Sequence, residues 1–324
     1  MTPDLPPELK VALERKMDGL SRSDAARRSN AISENYRSGG NSGAIRTEAD
    51  ALAYALARMP ATFAAIAACL DAVQELRPDF APRSVLDVGA GPGTASWAAA
   101  QCYSSLTDFT SLDANPSLRN LALELCGKDA RLSRMTYRHG DAFKLIADTS
   151  SADLVIASYL VGEIAHAEML ALADAMWSRT QDTLLVVEPG TPTGYARVLD
   201  IRARLVAQGA HVLAPCPHDA KCPLIAPDWC HFSQRLPRSR AHMHLKGASV
   251  PFEDEKFSYV VLTRTPIDVR FARVLAQPKM TKIAATVKLC TSDGLHIANV
   301  AHRDKANYAK ARKWDWGNAV HWQK

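Results

Sequence analysis

Apolar residues recur at helical spacing through the first quarter of the chain and then give way to short strand-like runs. Pro6-Pro7-Glu8 opens a first amphipathic helix carrying Leu9, Leu13, Met17 and Leu20 on one stripe. A second helix is predicted over residues 23–36, stopped by the loop Ser38-Gly39-Gly40-Asn41-Ser42-Gly43. A third, over 47–76, is rich in alanine and carries Pro60, where a bend is expected. Beyond residue 83, strands predicted at 84–88, 108–112, 135–138, 153–158 and 183–187 alternate with helices at 94–103, 117–125, 166–177 and 194–208. That alternation predicts a parallel, doubly wound α/β sheet. Residues 257–264 read as a late strand returning to it.

Between the two lies a stretch, 215–251, rich in Cys, His, Pro and Arg and poor in periodicity; a loop of that length is expected to be functional. Alternation at 283–289 and 295–301 around Asp293-Gly294 predicts a hairpin, followed by a basic segment, 303–313, and by Trp314, Trp316 and Trp322. The chain thus divides into a helical N-terminal region (1–76), a Rossmann-like core (77–214), a Cys-rich metal-binding insertion (215–251), a return strand completing the core (252–278) and a basic C-terminal hairpin and tail (279–324).

At 324 residues with 47% hydrophobic and 23% charged positions, the chain can bury a large core, which excludes a disordered or fibrous protein. Residues 1–20 carry Asp4, Glu8, Glu14 and Asp18 without an apolar run, and the Ala-rich stretch 51–73 is broken by Arg58, Pro60 and Asp71. The expectation is a soluble, cytoplasmic protein, away from membranes and monomeric when free. The formal charge of +5 is unevenly spread. From His231 onward there are 17 basic and 7 acidic residues, against 22 and 27 before it. A basic final third is the footprint of a polyanion partner. Candidate contacts are Arg235, Arg238, Arg240, Lys279, Lys282, Lys310, Arg312 and Lys313.

The sharpest motif is Val85-Leu86-Asp87-Val88-Gly89-Ala90-Gly91-Pro92-Gly93-Thr94, a buried strand running through a glycine-rich turn into a helix. Its glycines admit close backbone approach by a ligand, and the helix start offers free N–H groups. Pro92, lacking an N–H, argues against a pyrophosphate cradle. Asp113 closes the second strand, where a carboxylate can accept from both hydroxyls of a ribose; Asp141 follows the third, where it could face an adenine amino group. Each could equally cap a helix. Ser158 ends the fourth strand. Together these residues resemble the class I S-adenosylmethionine-dependent methyltransferases over 84–264. The cofactor set would be Asp87, Gly89, Ala90, Gly91, Gly93, Asp113, Asp141, Ala142 and Ser158. Ala157-Ser158-Tyr159-Leu160 lacks both the Asn/Asp-Pro-Pro-aromatic signature of amino methylation and a Pro-Cys nucleophile. No catalytic residue is therefore assigned, though Glu163 and Glu188 lie near element ends.

Of seven cysteines, Cys69, Cys102 and Cys126 sit in helical text and read as small core residues. Cys216, Cys222 and Cys230 cluster at C-x5-C and C-x7-C spacing, with Cys290 apart. Thiolates suit zinc or iron–sulfur, and the spacing lacks the short knuckles usual for zinc. A loop-wrapped 4Fe-4S cluster with Cys290 as fourth donor fits, with zinc as the alternative metal and His218 or His231 as the alternative ligand.

The glycine loop, Val187-Glu188-Pro189-Gly190-Thr191-Pro192-Thr193-Gly194, the Cys-Pro-His…Cys-Pro…Trp-Cys-His-Phe loop and the late Lys-Leu-Cys strand occur together. In that combination, from Ile32 to the end, the chain resembles the family of methyltransferase-like protein 17 and its bacterial relatives. These are the small-ribosomal-subunit methyltransferase-like proteins of ribosome assembly. The resemblance implies a class I methyltransferase fold binding S-adenosylmethionine, a 4Fe-4S cluster on Cys216, Cys222, Cys230 and Cys290, and association with the small ribosomal subunit or its 16S rRNA. It implies a methyltransferase fold without an assigned acceptor, so the leading expectation is an rRNA-binding assembly factor with catalysis left open, and the alternative is a zinc-stapled methyltransferase of a small molecule or protein. On this reading the cluster staples the basic C-terminal part to the core.

Overall fold

A computed structural model describes residues 2–17, 21–127, 129–239, 242–243 and 246–322. Leu20, placed on the first helical stripe, and Arg240, a candidate anion contact, lie outside them.

Three helices precede the sheet: α1 (Pro7–Met17), α2 (Arg22–Arg37) and α3 (Glu48–Leu76). α3 begins at a capping box, in which Thr47 and Asp50 each bond the other's backbone N–H. It runs without a break through Pro60, where a bend was expected. By length and composition α3 could cross a bilayer, yet 67% of its most apolar window is buried against the rest of the protein. It is a core helix.

The large sheet has the order β3 (Thr136–His139), β2 (Asp108–Asp113), β1 (Ser84–Val88), β4 (Ala152–Ser158), β5 (Thr180–Pro189), β8 (Phe252–Thr263), β6 (His211–Ala214). β1 to β5 are parallel to their neighbours, whereas β8 runs antiparallel to both β5 and β6. β7 (Phe232–Pro237) also pairs with β8. The expected doubly wound α/β core is present. Alternate residues of its strands face opposite layers. Val85, Leu154, Ile156 and Leu185 pack under α3, α4 (Thr94–Cys102) and α5 (Pro116–Cys126). Leu86, Val155, Leu184 and Val186 pack on α7 (His166–Arg179) and α8 (Pro192–Val206).

The stretch 215–251 is not wholly irregular, because it contains β7. The return strand is also longer than predicted, starting at Phe252. Its opening Phe-Glu-Asp-Glu-Lys lacks apolar alternation because its partner there, β7, is itself polar and half exposed. A second sheet of five strands follows. Its centre is β11 (Ala284–Thr291), with β12 (Gly294–Ala301) on one edge; β10 (Lys279–Met280) and β9 (Ala272–Val274) share the other, and β13 (Ala319–Val320) lies beyond β9. β11 and β12 form the predicted hairpin through Asp293-Gly294. Trp314 and Trp322 pack on this sheet's own core with Val274, Val287 and Leu289.

Candidate cofactor cleft and cysteine loop

Strand order reverses direction between β1 and β4, and the crevice outside the C-terminal ends of such neighbours is where open α/β sheets bind ligands. Here it is a cleft of about 1000 Å3, lined by Gly89, Asp113, Asn115, Asp141, Phe143, Glu163 and neighbours. The glycine loop forms its floor. Gly89, Gly91 and Gly93 have φ of +71°, +52° and +81°, values that favour glycine. Leu112 O accepts from the N–H groups of Gly89 (2.8 Å) and Ala90 (3.0 Å). Asp113 Oδ2 accepts from Gly91 N–H at 2.8 Å, and Tyr137 Oη donates to Gly91 O at 2.6 Å. The loop is rigidly pinned before any ligand arrives.

Gly89, Ala90, Gly91, Asp113 and Ser158 line the cleft or a small chamber continuous with it; Asp141 and Ala142 line its outer end. The Asp113 carboxylate is turned partly inward, with Oδ1 accepting from Asn115 N–H at 2.7 Å. Asp141 caps the short helix α6 (Ala142–Ile146), Oδ1 accepting from Phe143 N–H (2.9 Å) and Lys144 N–H (3.3 Å). Two residues take other places. Gly93 is the N-cap of α4, and Asp87 lies beneath the loop. Fully buried, Asp87 Oδ2 accepts from Ser96 N–H (3.0 Å) and Ser96 Oγ–H (2.9 Å), while Oδ1 has no partner among the described residues. Asp87 thus ties β1 to the first turn of α4 and shapes the loop from below.

Burial pushes the Asp87 carboxyl up to about 7, against the opposing hydrogen bonds from Ser96. Its folded pKa lies above the unfolded value, so the native state holds the proton longer. Stability should be fullest below about pH 4 and fall until about pH 7, by on the order of 3–4 kcal/mol from this group. Asp87→Asn should flatten that slope in denaturant titrations run from pH 4 to 8. An unchanged slope would assign it to Glu188, which burial also pushes up to about 7.

Several cleft residues carry no signal in the sequence. Phe143 is 50% exposed at the mouth of the cleft, two residues after the Asp141 cap. Residues 41–46, from the N-terminal region that had no assigned role, form one wall. Asn115 Nδ2 donates to Ser42 O and Ile45 O, both at 2.9 Å, and Glu163 Oε2 accepts from Ser42 N–H at 2.8 Å. Tyr159 follows β4 with φ +55° and donates through Oη to Glu255 Oε1 at 2.9 Å.

The cysteine loop is clamped between the core and the small sheet. From α8, Arg202 Nη2 donates to His218 O (2.7 Å) and Ala220 O (2.8 Å), and Tyr195 Oη lies 3.1 Å from Cys222 Sγ. From β9, Arg273 donates to Pro215 O (3.0 Å) and Gly317 O (2.7 Å). Cys290 on β11 sits with Sγ 3.7 Å from His218 Nε2. No cysteine is disulfide-bonded. Burial, then the charges of Cys222 and its neighbours, holds the Cys216 thiol up despite Arg202; Cys230 is raised by burial and by Cys216, Cys222 and Cys290. Burial, with Cys216 and Cys222, pushes Cys290 up to about 12. The four sulfurs therefore lie within electrostatic reach of one another. Yet among the described residues no three His, Cys, Asp or Glu side chains are grouped closely enough to hold a metal ion.

The candidate anion contacts divide. Arg235 is paired with Asp254 through two hydrogen bonds (2.7 and 2.8 Å), and its guanidinium lies 4.1 Å from the Phe252 ring centroid. Arg238 meets Glu253 at 3.3 Å. The first is a cross-strand pair between β7 and β8 and the second joins the residue after β7 to β8, so neither is a free charge. Lys279, Lys282, Lys310, Arg312 and Lys313 are exposed.

Sheet order and glycine loop define a Rossmann-like α/β protein with a cleft at its switch point. The chain belongs to the Rsm22 family, the mitochondrial small ribosomal subunit protein Rsm22, whose model matches residues 48–321. It is 28% identical over 294 residues to the human mitochondrial ribosome assembly protein METTL17, covering 85% of this chain and 63% of that one. It is 22% identical to the Rsm22-cox11 tandem protein 2 of Schizosaccharomyces pombe, covering 84% and 43% respectively. The chain thus spans less than two thirds of the length of these relatives. Among solved structures, magnesium protoporphyrin IX methyltransferase from Synechocystis aligns with TM-score 0.43 and 13% identity over 63% of this chain and 84% of that one. The expectation of a cytoplasmic protein is corrected by these matches, since the family and both relatives are described as mitochondrial. The lack of an apolar N-terminal run bears on secretion and does not separate cytoplasm from organelle.

Proposed function

We propose that this chain binds S-adenosylmethionine in the cleft at the β1/β4 switch point and acts in assembly of the small ribosomal subunit by binding its rRNA. The observation that carries the reading is the pinned glycine loop opening on a cleft of about 1000 Å3, a volume suited to a whole nucleoside cofactor. The fit is supported by the loop's left-handed glycines, which leave backbone where side chains would stand. Asp113 would meet the ribose hydroxyls, Phe143 would stack on the adenine near the Asp141 cap, and residues 41–46 would close the site from above. The bound cofactor would supply an electrophilic methyl group. Methyl transfer is not required by this reading: the end of β4 presents Ser158 and Tyr159, and the Tyr159 hydroxyl is engaged by Glu255.

The cysteine loop we read as the holder of a 4Fe-4S cluster on Cys216, Cys222, Cys230 and Cys290. Support comes from the donor chemistry, soft thiols with no disulfide partner, and from the clamp that already brings the loop against β11. Ligation would draw the sulfurs further together and displace their protons. The cluster would then fasten the small sheet and its exposed Lys279, Lys282, Lys310, Arg312 and Lys313 to the core as a phosphate-binding surface.

Anaerobically purified protein should be brown, with iron and sulfide near four per chain, and should co-sediment with small subunits. Cys290→Ser should lose colour and co-sedimentation together. Charge reversal at Lys279, Lys282 and Lys310 should keep the colour and weaken binding, with a shallower dependence on salt. Colourless protein with stoichiometric zinc would replace the iron reading, and unaltered co-sedimentation of both variants would remove the staple.

A further inference from the structure

Behind the glycine loop the cleft continues into a chamber of about 50 Å3. Its wall includes Tyr36 and Tyr54 from the N-terminal helices, with Asp113 and Glu163 from the core. No lysine, arginine or histidine is among its lining residues. Ser42, Gly89, Asp113, Leu160 and Glu163 line both chamber and cleft, so the two adjoin across these residues.

The chemistry of this wall favours positive charge. The Tyr36 and Tyr54 rings lie 6.1 Å apart, tilted by 34°, and aromatic faces attract cations. Glu163 accepts from the Ser42 N–H, and Asp113 from the N–H groups of Gly91 and Asn115. Neutral donors hold both carboxylates in place without cancelling their charge. Arg58 lies 6.0 Å from the Tyr159 ring centroid and is paired with Glu255, and His139 lies at the edge of Asp113's surroundings. Burial raises the carboxyls of both Asp113 and Glu163, while the N–H groups of Asn115, Gly91 and Ser42 that bond them pull the other way.

We propose that the chamber is a cation cage that takes the sulfonium end of S-adenosylmethionine and discriminates against S-adenosylhomocysteine, in which that sulfur is a neutral thioether. The inference rests on the cofactor reading above. The two ligands share adenine, ribose, ammonium and carboxylate, so only the methyl group on sulfur and the charge it brings separate them. A wall of ring faces and carboxylates attracts the sulfonium and gains nothing from the thioether. A protein built this way responds to the ratio of methylated to demethylated cofactor. An assembly factor could use that response without transferring a methyl group.

Isothermal titration of the full chain with S-adenosylmethionine, S-adenosylhomocysteine and adenosine tests it. The methylated cofactor should bind at least tenfold tighter than the demethylated one. Glu163→Gln and Tyr36→Leu should each bring that ratio toward one, while Tyr54→Phe, which keeps the aromatic face, should preserve it. Adenosine reports the other end of the cleft and the integrity of the fold in every variant. Equal or tighter binding of S-adenosylhomocysteine by the unaltered chain overturns the cage and leaves the cofactor site standing. Failure of all three ligands to bind overturns both.

Discussion

Gly89→Val should abolish binding in the cleft, with at least a hundredfold loss of cofactor affinity by calorimetry. Two costs add at this position. Its φ of +71° is left-handed, a conformation costing on the order of 1–2 kcal/mol for residues with a Cβ and more for a branched one. An added Cβ would also stand 2.6 Å from Leu160 Cδ1 and 2.8 Å from Cδ2, so Leu160 must be pushed toward the space the cofactor needs. Overpacking of this kind costs roughly 1–3 kcal/mol, which together with the backbone strain is a large share of ordinary domain stability. Gly209→Ala is the control. Its φ is +89° with nothing within 4 Å of the added Cβ, so it should cost about 1 kcal/mol in melting experiments and leave binding intact. Cofactor binding by Gly89→Val at the unaltered affinity would mean that the loop is not the floor of the site.

The second large effect is expected at Arg202. It is a buried cation on α8 whose Nη2 serves two carbonyls of the cysteine loop, His218 O and Ala220 O. Hydrogen bonds from a charged donor contribute about 1.5–3 kcal/mol each, and truncation takes that donor from His218 O and leaves Ala220 O only its 3.1 Å contact with His218 Nδ1. Arg202→Ala should therefore cost on the order of 3–5 kcal/mol locally and release the loop. Hydrogen exchange should rise across 216–231 while β1, β4 and β5 stay protected. Because Arg273 grips the same loop at Pro215 from the other side, Arg273→Ala should loosen the small sheet as well. A globally cooperative loss of protection would instead make the loop part of the main core.

Much of this architecture was legible where each element buries one face locally. The run Ser84–Val88 and its glycine turn could be read directly, because Val85, Leu86 and Val88 mark a buried parallel strand around Asp87 and the turn demands glycine. The β11–β12 hairpin was equally plain from alternation around Asp293-Gly294. β7 was not, since its sequence Phe-Ser-Gln-Arg-Leu-Pro buries little and is defined by its partner. The same blindness affected Arg235 and Arg238. Counted along the chain they are free charges, and only the register of Arg235 against Asp254 and the contact of Arg238 with Glu253 show them paired. The acid run Glu253-Asp254-Glu255 was the available clue. The cleft's upper wall was beyond reach, because Tyr36, Ser42 and Tyr54 meet Glu163 and Asp113 only through the tertiary fold.

β8 alone joins β5, β6 and β7, and it is the last strand of the large sheet to be synthesised. As the chain leaves the ribosome, the outer edge of β5 must therefore wait, its ladder groups unpaired, until the segment ending at Thr263 emerges. At about 5–20 residues per second the delay is of several seconds, long on the scale of collapse and long enough for a bare apolar edge to find a neighbour. Nascent chains truncated before Phe252 should then need chaperones that those extending past Thr263 do not.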